Sequence, residues 1–315
     1  MTEILPTYLL SGASGMLGGA LRAALAERQC GMLQLVRRPA KAAGEVEWNP
    51  AAAVAVRAPD SLEGIKAAIH LSGANVAAHR WTPAYKREMV ASRVDSTRAL
   101  ACMLAGLRRP PQALLAASAA GIYGDRGDEI LDESSSDGSG FLADLCREWE
   151  AAARPAVEAG IRVVHLRLGV VLGGGAGALG RMAPLFQLGL GGRLGDGRQW
   201  MSWIGLEDTV GAILFLLENP VLAGPVNLTA PNPVTNAEFT RALGRALHRP
   251  ALLPAPAFAL RLALGEMARE ALLASARIRP ARLLDAGFRF AQPTVEAALA
   301  AALARPRPPS QSALS

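Results

Sequence analysis

One stretch near the start of the chain, YLLSGASGMLGG at positions 8–19, constrains the fold more than any other. A short apolar run, Tyr8-Leu9-Leu10, leads into Gly12, Gly15 and Gly18, spaced G-x-x-G-x-x-G. Behind the turn, Leu17, Leu21, Ala24 and Leu25 share one helical face. A strand that enters a helix through such a turn makes a phosphate cradle. Gly12 permits the tight turn, Gly15 lets the backbone approach a pyrophosphate, and Gly18 lets helix and strand pack closely. Free amides and the positive end of the helix dipole then face the anion. A glycine triplet alone is weak evidence, but this one follows the first strand and opens a helix, which points to a dinucleotide site.

The rest of the chain repeats the alternation. Strands are expected at 32–36, 45–48, 67–71, 113–117 and 162–167, and helices at 83–107 and 140–159. Six strands alternating with helices imply an α/β fold: a Rossmann-type doubly wound parallel sheet with ligands at the strand C-terminal ends. From Gly169 the texture changes. Positions 173–177 (GGGAG) read as a flexible loop facing substrate, 190–201 as a hairpin, and WIGLED at 203–208 leads into a helix to 218. A further strand fits 225–228. Thr235-Asn236-Ala237-Glu238 is a capping box. An extended linker at 250–256 precedes more helices, broken near Gly287-Phe288. The division expected is a dinucleotide-binding domain over 1–230 with a substrate-side insertion at 173–202, a smaller, mostly helical C-terminal domain over 231–304, and a disordered Pro- and Ser-rich tail over 305–315.

Composition narrows the function classes. Hydrophobic residues are 51% and aromatics 5%, a core of Ala, Leu and Val that suits helices on a parallel sheet. Net charge is 33 − 27 = +6, with three lysines and the remaining bases arginine. These charges are dispersed and not interleaved with aromatics, which argues against nucleic acid as a partner. Cys30, Cys102 and Cys146 form no C-x-x-C, and the four histidines lack metal-ligand spacing. No n-region and h-region open the chain and no apolar run reaches about 18 residues, so neither a signal peptide nor a membrane span is expected. The expectation is a soluble cytoplasmic monomer or homodimer acting on a small molecule.

The second strand ends in Arg37-Arg38-Pro39, with no acid between Gly31 and Gly44. An NAD site places Asp or Glu here for the ribose 2′-hydroxyl, whereas arginine receives a 2′-phosphate. The cofactor expected is therefore NADP.

Together with Gly12–Gly18, the strand end Leu71-Ser72-Gly73 and the segment Ser118-Ala119-Ala120-Gly121-Ile122-Tyr123-Gly124 resemble an extended short-chain dehydrogenase/reductase. More narrowly, the chain is similar to the atypical epimerase-like subgroup with a small C-terminal domain of unknown function. The marks are Gly73-Ala74-Asn75, Arg80-Trp81, Lys86, Ser92-Arg93, Trp149-Glu150, 167–173, 235–239, Arg279-Pro280 and Ala286-Gly287-Phe288. The resemblance spans about residues 7–302. It implies that Gly12, Ser14, Gly15, Met16 and Leu17 line the pyrophosphate and that Arg37 and Arg38 meet the adenosine phosphate. It also implies that Leu71, Ser72 and Gly73 pass over the cofactor. Arg93 falls where extended members use an Asn to reach the cofactor, with Glu88 about one turn earlier.

The superfamily's usual mechanism pairs a tyrosine with a lysine four residues on, which lowers the phenol's pKa for proton exchange. Four residues after Tyr8, Tyr85 and Tyr123 stand Gly12, Met89 and Gly127, so no Y-x-x-x-K exists. Alignment on Tyr123-Gly124 also places Ala119 at the usual catalytic serine. Ser118, at a strand end, is then the best-placed candidate for proton handling, followed by Tyr123. Arg80 and Lys86 are candidates for holding an anionic substrate. The functional expectation is an NADP(H)-binding oxidoreductase or epimerase acting on a small, possibly sugar-nucleotide, substrate. The rival is a non-catalytic NADPH-binding sensor, which the missing Tyr-Lys pair favours.

Overall fold

The computed structural model describes residues 5–52, 55–56, 59–175 and 177–304; the tail expected over 305–315 lies outside them. Seven parallel strands form one sheet in the spatial order Gly224–Leu228, Arg162–Leu168, Ala113–Ala119, Ala67–His70, Thr7–Ser11, Gly31–Val36, Glu45–Glu47. The order reverses between the first strand (Thr7–Ser11) and the fourth (Ala67–His70). Connections therefore leave in opposite directions there and open a crevice at the strand C-terminal ends. The Rossmann-type fold expected from the alternation is the fold observed.

The period of two along each strand divides the core. Leu10, Ile69, Leu115 and Leu166 face one side, where the helices Met16–Glu27 and Leu206–Glu218 cover them. Leu9, Ala68, Leu114 and Val163 face the other, against Ser96–Ala105 and Arg154–Glu158. Strands buried on both faces explain the near-continuous apolar runs in the sequence.

Three expectations need correction. The helix expected over 83–107 runs as Pro83–Val90 and Ser96–Ala105, joined by a π-helical turn at Ala91–Asp95. The helix expected over 140–159 is two, Phe141–Ala151 and Arg154–Glu158. Pro155 lies in the first turn of the second, where its missing N–H costs least. The hairpin expected at 190–201 does not form. Trp200–Met201 pairs antiparallel with Val234–Thr235, and Leu194 bridges Ala255. Glycine lets this segment lie flat: a Cβ at Gly192 would sit 1.8 Å from the Leu253 carbonyl oxygen. The segment read as an extended linker is the surface that covers it.

The C-terminal region is smaller and mostly helical, and it shares a core with the segment before it. Leu172, Leu179, Phe186 and Trp203 pack with Phe239, Leu243, Val295 and Leu299. The capping box at Thr235 and Glu238 forms and starts the helix Asn236–Ala246. Asp208 of the WIGLED stretch is 3% exposed and accepts from the amides of Ala291 (2.7 Å) and Gln292 (2.9 Å). It thereby latches the last part of the chain to the helix Leu206–Glu218. Among the described residues no helix is long and apolar enough to cross a membrane.

Candidate functional site

The glycine turn has the shape its spacing calls for. Gly12 has φ +74°, and a Cβ there would lie 2.8 Å from the Leu71 carbonyl group. Gly18 sits against Gly12, where a Cβ would come 2.1 Å from its carbonyl oxygen. Gly15 is different: it is exposed, and its Cβ would find only the Gly12 oxygen, at 3.4 Å. Gly15 also caps the helix Met16–Glu27 with no side-chain bond, and among the described residues no side chain is hydrogen-bonded to the first-turn amides of Met16 and Leu17. Ser14 is exposed beside them. The glycines at 173 and 177 close in on Met16. A Cβ at Gly173 would lie 2.5 Å from Met16 Sδ. The helix Gly177–Gln187 starts where a loop was expected.

At the end of the second strand the two arginines part company. Arg38 makes a bidentate pair with Glu45 (2.8 and 2.5 Å) and donates to the Pro39 carbonyl. The Arg38 hydrogen bond and the amide of Lys41 hold the Glu45 carboxyl well below its ordinary range, at about 2. Arg37 is exposed and has no hydrogen bond or ion pair among the described residues.

Next to the turn, the fourth strand ends in a polar knot. His70 is fully buried; its Nδ1 accepts from Ser11 Oγ (2.6 Å), and its Nε2 donates to Ser96 Oγ (3.2 Å). That tautomer follows because Ser96 Oγ spends its own proton on the Ser92 carbonyl. Leu71 N donates to Ser11 Oγ, so the knot ties together the first strand, the fourth strand and the helix beyond the π turn. Burial pushes the imidazole down to about 4 from an ordinary 6.5. A histidine buried neutral stabilises the fold fully above pH 6.5, where the unfolded chain is also neutral. That stability is lost progressively as the pH falls from 6.5 to the folded value of about 4. Between pH 7 and 4.5 this group removes on the order of 2 kcal/mol. Urea midpoints across that range should therefore fall less steeply for His70→Gln than for wild type; parallel slopes would refute the assignment.

Leu71, Ser72 and Gly73 continue from this strand toward the crevice, and Gly73 is exposed. Arg93, from the π turn, lies directly beneath. Its Nη2 donates to the Ala74 carbonyl (2.8 Å) and its Nη1 to that of Met89 (3.3 Å), and its guanidinium covers the Trp149 ring at 5.1 Å. Glu88 is exposed on Pro83–Val90 and forms no ion pair with Arg93.

Ser118 and Tyr123 are brought together, but in the interior. They are 1% and 0% exposed. Ser118 Oγ donates to Glu150 Oε1 (2.7 Å), and Arg167 grips both Glu150 oxygens (2.8 and 3.0 Å). Arg167 also donates to the Tyr123 hydroxyl (3.0 Å), which donates in turn to Asn227 Oδ1 (2.8 Å). This chain stitches the ends of the strands Ala113–Ala119, Arg162–Leu168 and Gly224–Leu228 to the helix Phe141–Ala151. Burial raises the Tyr123 phenol above its ordinary range despite Arg167. Burial also works against the Glu150 carboxylate, but Arg167, His165 and Ser118 outweigh it and hold its pKa down. Cys146, one turn before Glu150, is pushed up to about 12 by burial and the Glu150 charge, so it is a thiol and not a nucleophile.

Comparison with known proteins settles the family. A model described as the NAD dependent epimerase/dehydratase family matches residues 8–228. The chain belongs to that family. A second model, a domain of unknown function, matches residues 255–302 of this epimerase/dehydratase family member. An epimerase family protein of Mycobacterium bovis, Mb2239, is 47% identical, covering 94% of this chain and 97% of its own length. The crystal structure titled human epimerase family protein SDR39U1 (isoform2) with NADPH superposes with a TM-score of 0.86 at 33% identity, over 94% of this chain and 98% of that one. A nucleoside-diphosphate sugar epimerase of Corynebacterium glutamicum gives 0.78 at 35% identity, over 95% of this chain and 58% of that one.

In this family member Arg80 and Lys86 face the C-terminal region and are occupied there. Lys86 is ion-paired to Glu266 and lies over the Phe141 ring at 4.5 Å, and Arg80 reaches the Leu262 carbonyl (3.5 Å). Sequence reasoning missed four polar residues that organise the site. Glu45 lies just past the window searched for an acid. Glu150, Arg167 and Asn227 come from three separate elements, and no local pattern joins them. Glu270 was also missed: it reaches from the C-terminal region to the amide of Leu142 and caps the helix Phe141–Ala151.

Proposed function

We propose that this protein binds NADP(H) and acts as an oxidoreductase or epimerase on a small molecule, without the usual Tyr-x-x-x-Lys pair. The single observation that carries the reading is the glycine turn. Its one open glycine, Gly15, stands at uncapped helix amides beside the crevice where the strand order reverses. The NADPH named for the human relative supports the same cofactor here. The pyrophosphate lies on Gly12, Ser14, Gly15, Met16 and Leu17, and the cofactor continues past Leu71, Ser72 and Gly73.

Within this reading Arg37 receives the 2′-phosphate, since its guanidinium is free, while Arg38 is held by Glu45 and braces the loop. A charge-assisted bond contributes about 1.5–3 kcal/mol. Arg37→Ala should therefore weaken NADPH roughly 10- to 100-fold and leave NADH nearly unchanged. Arg38→Ala should change the preference less. Fluorescence titration with both nucleotides checks this, and equal losses of NADPH and NADH would overturn the assignment.

A sensor reading keeps one specific support: the hydroxyls of Ser118 and Tyr123 are buried and spoken for. A panel of carbonyl substrates, followed by NADPH oxidation, separates the two. Turnover in wild type supports the enzyme; tight NADPH binding with no turnover across the panel supports the sensor.

A further inference from the structure

Two arginines are buried near the crevice, to 6% exposure for Arg167 and 8% for Arg93. Arg167 has its counter-charge in Glu150. Arg93 has none: among the described residues only the carbonyls of Ala74 and Met89 and the Trp149 ring attend it. The ionisable groups that act on it are Cys146 and Tyr85, both neutral at ordinary pH. A buried cation without an anion is a costly arrangement, which folded proteins rarely keep unless something else neutralises it.

The geometry says where that anion enters. Gly73 is exposed, and a Cβ there would come 3.3 Å from Arg93 Cζ and 3.5 Å from Nε, so the guanidinium lies just under a bare stretch of main chain. Among the described residues Nε has no hydrogen bond, yet it is not sealed in. The one fully buried side-chain atom left unpartnered among the described residues is Thr229 Oγ1. Arg93 owes its aim to the π turn at Ala91–Asp95, an irregularity that recurs at functional sites.

We propose that Arg93 is the counter-ion for an anionic group of the substrate. The molecule taken beside the cofactor is then small and bears a carboxylate or phosphate. The proposal rests on the cofactor site argued above. In that reading the cofactor's own phosphates are received at the Gly12–Leu17 turn and at Arg37. Arg93 instead lies against Gly73, past the end of the fourth strand, with its guanidinium over Trp149 of the helix Phe141–Ala151. The other two candidate anion receptors, Arg80 and Lys86, are already engaged by Leu262 and Glu266.

The test uses the full chain, with and without saturating NADPH, titrated with oxalate and with inorganic phosphate against chloride at matched ionic strength. The readout is the thermal midpoint. Wild type with NADPH should show a saturable rise with at least one of the two anions. Arg93→Met and Arg93→Gln should lose that rise while their NADPH affinity stays within about twofold, against the cofactor role that the resemblance implies for this position; the second variant serves if the first does not fold. The same rise in both variants, or none in wild type, overturns the proposal. A tenfold loss of NADPH affinity in both variants also overturns it, by making the cofactor the anion. If wild type fails to bind NADPH but keeps an Arg93-dependent rise with oxalate or phosphate, the cofactor reading falls while the anion site at Arg93 stands without it.

Discussion

Gly12→Ala is expected to destabilise the fold by about 3–4 kcal/mol and to abolish measurable NADPH binding. Two costs combine. The residue is held at φ +74°, a region that costs an L-residue about 1–2 kcal/mol. The new methyl would also press on the Leu71 carbonyl at 2.8 Å, and overpacking of this kind costs roughly 1–3 kcal/mol. Neither neighbour can yield cheaply. Leu71 is tied to Ser11 through its amide, and the turn is pinned from behind by Gly18. Gly15→Ala is the informative contrast. Its Cβ meets only one oxygen at 3.4 Å, so the urea midpoint should barely move, yet NADPH affinity should drop at least about tenfold, because the methyl occupies the approach to the pyrophosphate. If Gly15→Ala binds NADPH as wild type does, the anion is not seated on this turn.

The second large effect concerns the interior network. Arg167→Met should cost about 3–5 kcal/mol, because it leaves the Glu150 carboxylate buried without its partner and removes a donor from Tyr123. Glu150→Leu should cost a similar amount by stranding the guanidinium. The double variant should recover most of the loss, since replacing a buried pair by apolar groups of similar volume is often close to neutral. A chemical-denaturation cycle measures the coupling. Additive losses would mean that the pair does not act as a unit. Single losses below about 1 kcal/mol would place it with surface ion pairs, which contribute little.

These two sites mark the limit of what local sequence could reveal. The glycine turn was legible because its constraint is local. Close approach and positive φ exclude side chains at fixed spacings, and those spacings are written in consecutive residues. The alternation of apolar strands with helices was legible for a similar reason, since a period of two on strands buried on both faces leaves unbroken apolar runs. Tyr123 and Ser118 show the opposite case. Their position at a strand end suggested chemistry, but what their hydroxyls do depends on Glu150, Arg167 and Asn227, which lie 27 or more residues away from one or the other. The spacings |i−j| are 32 for Ser118–Glu150, 44 for Tyr123–Arg167 and 104 for Tyr123–Asn227.

The residues alone determined a parallel doubly wound sheet, a tight glycine turn at its first strand, and a pair of arginines at its second, because each follows from sterics or charge within one short segment. Tertiary structure decided which charges are free. It paired Arg38 with Glu45, Arg167 with Glu150 and Lys86 with Glu266, and among the described residues it left Arg37 open to solvent and Arg93 buried without an acid. The reason is that charge neutralisation depends on distance in space, and folding sets that distance between elements that the chain order keeps apart.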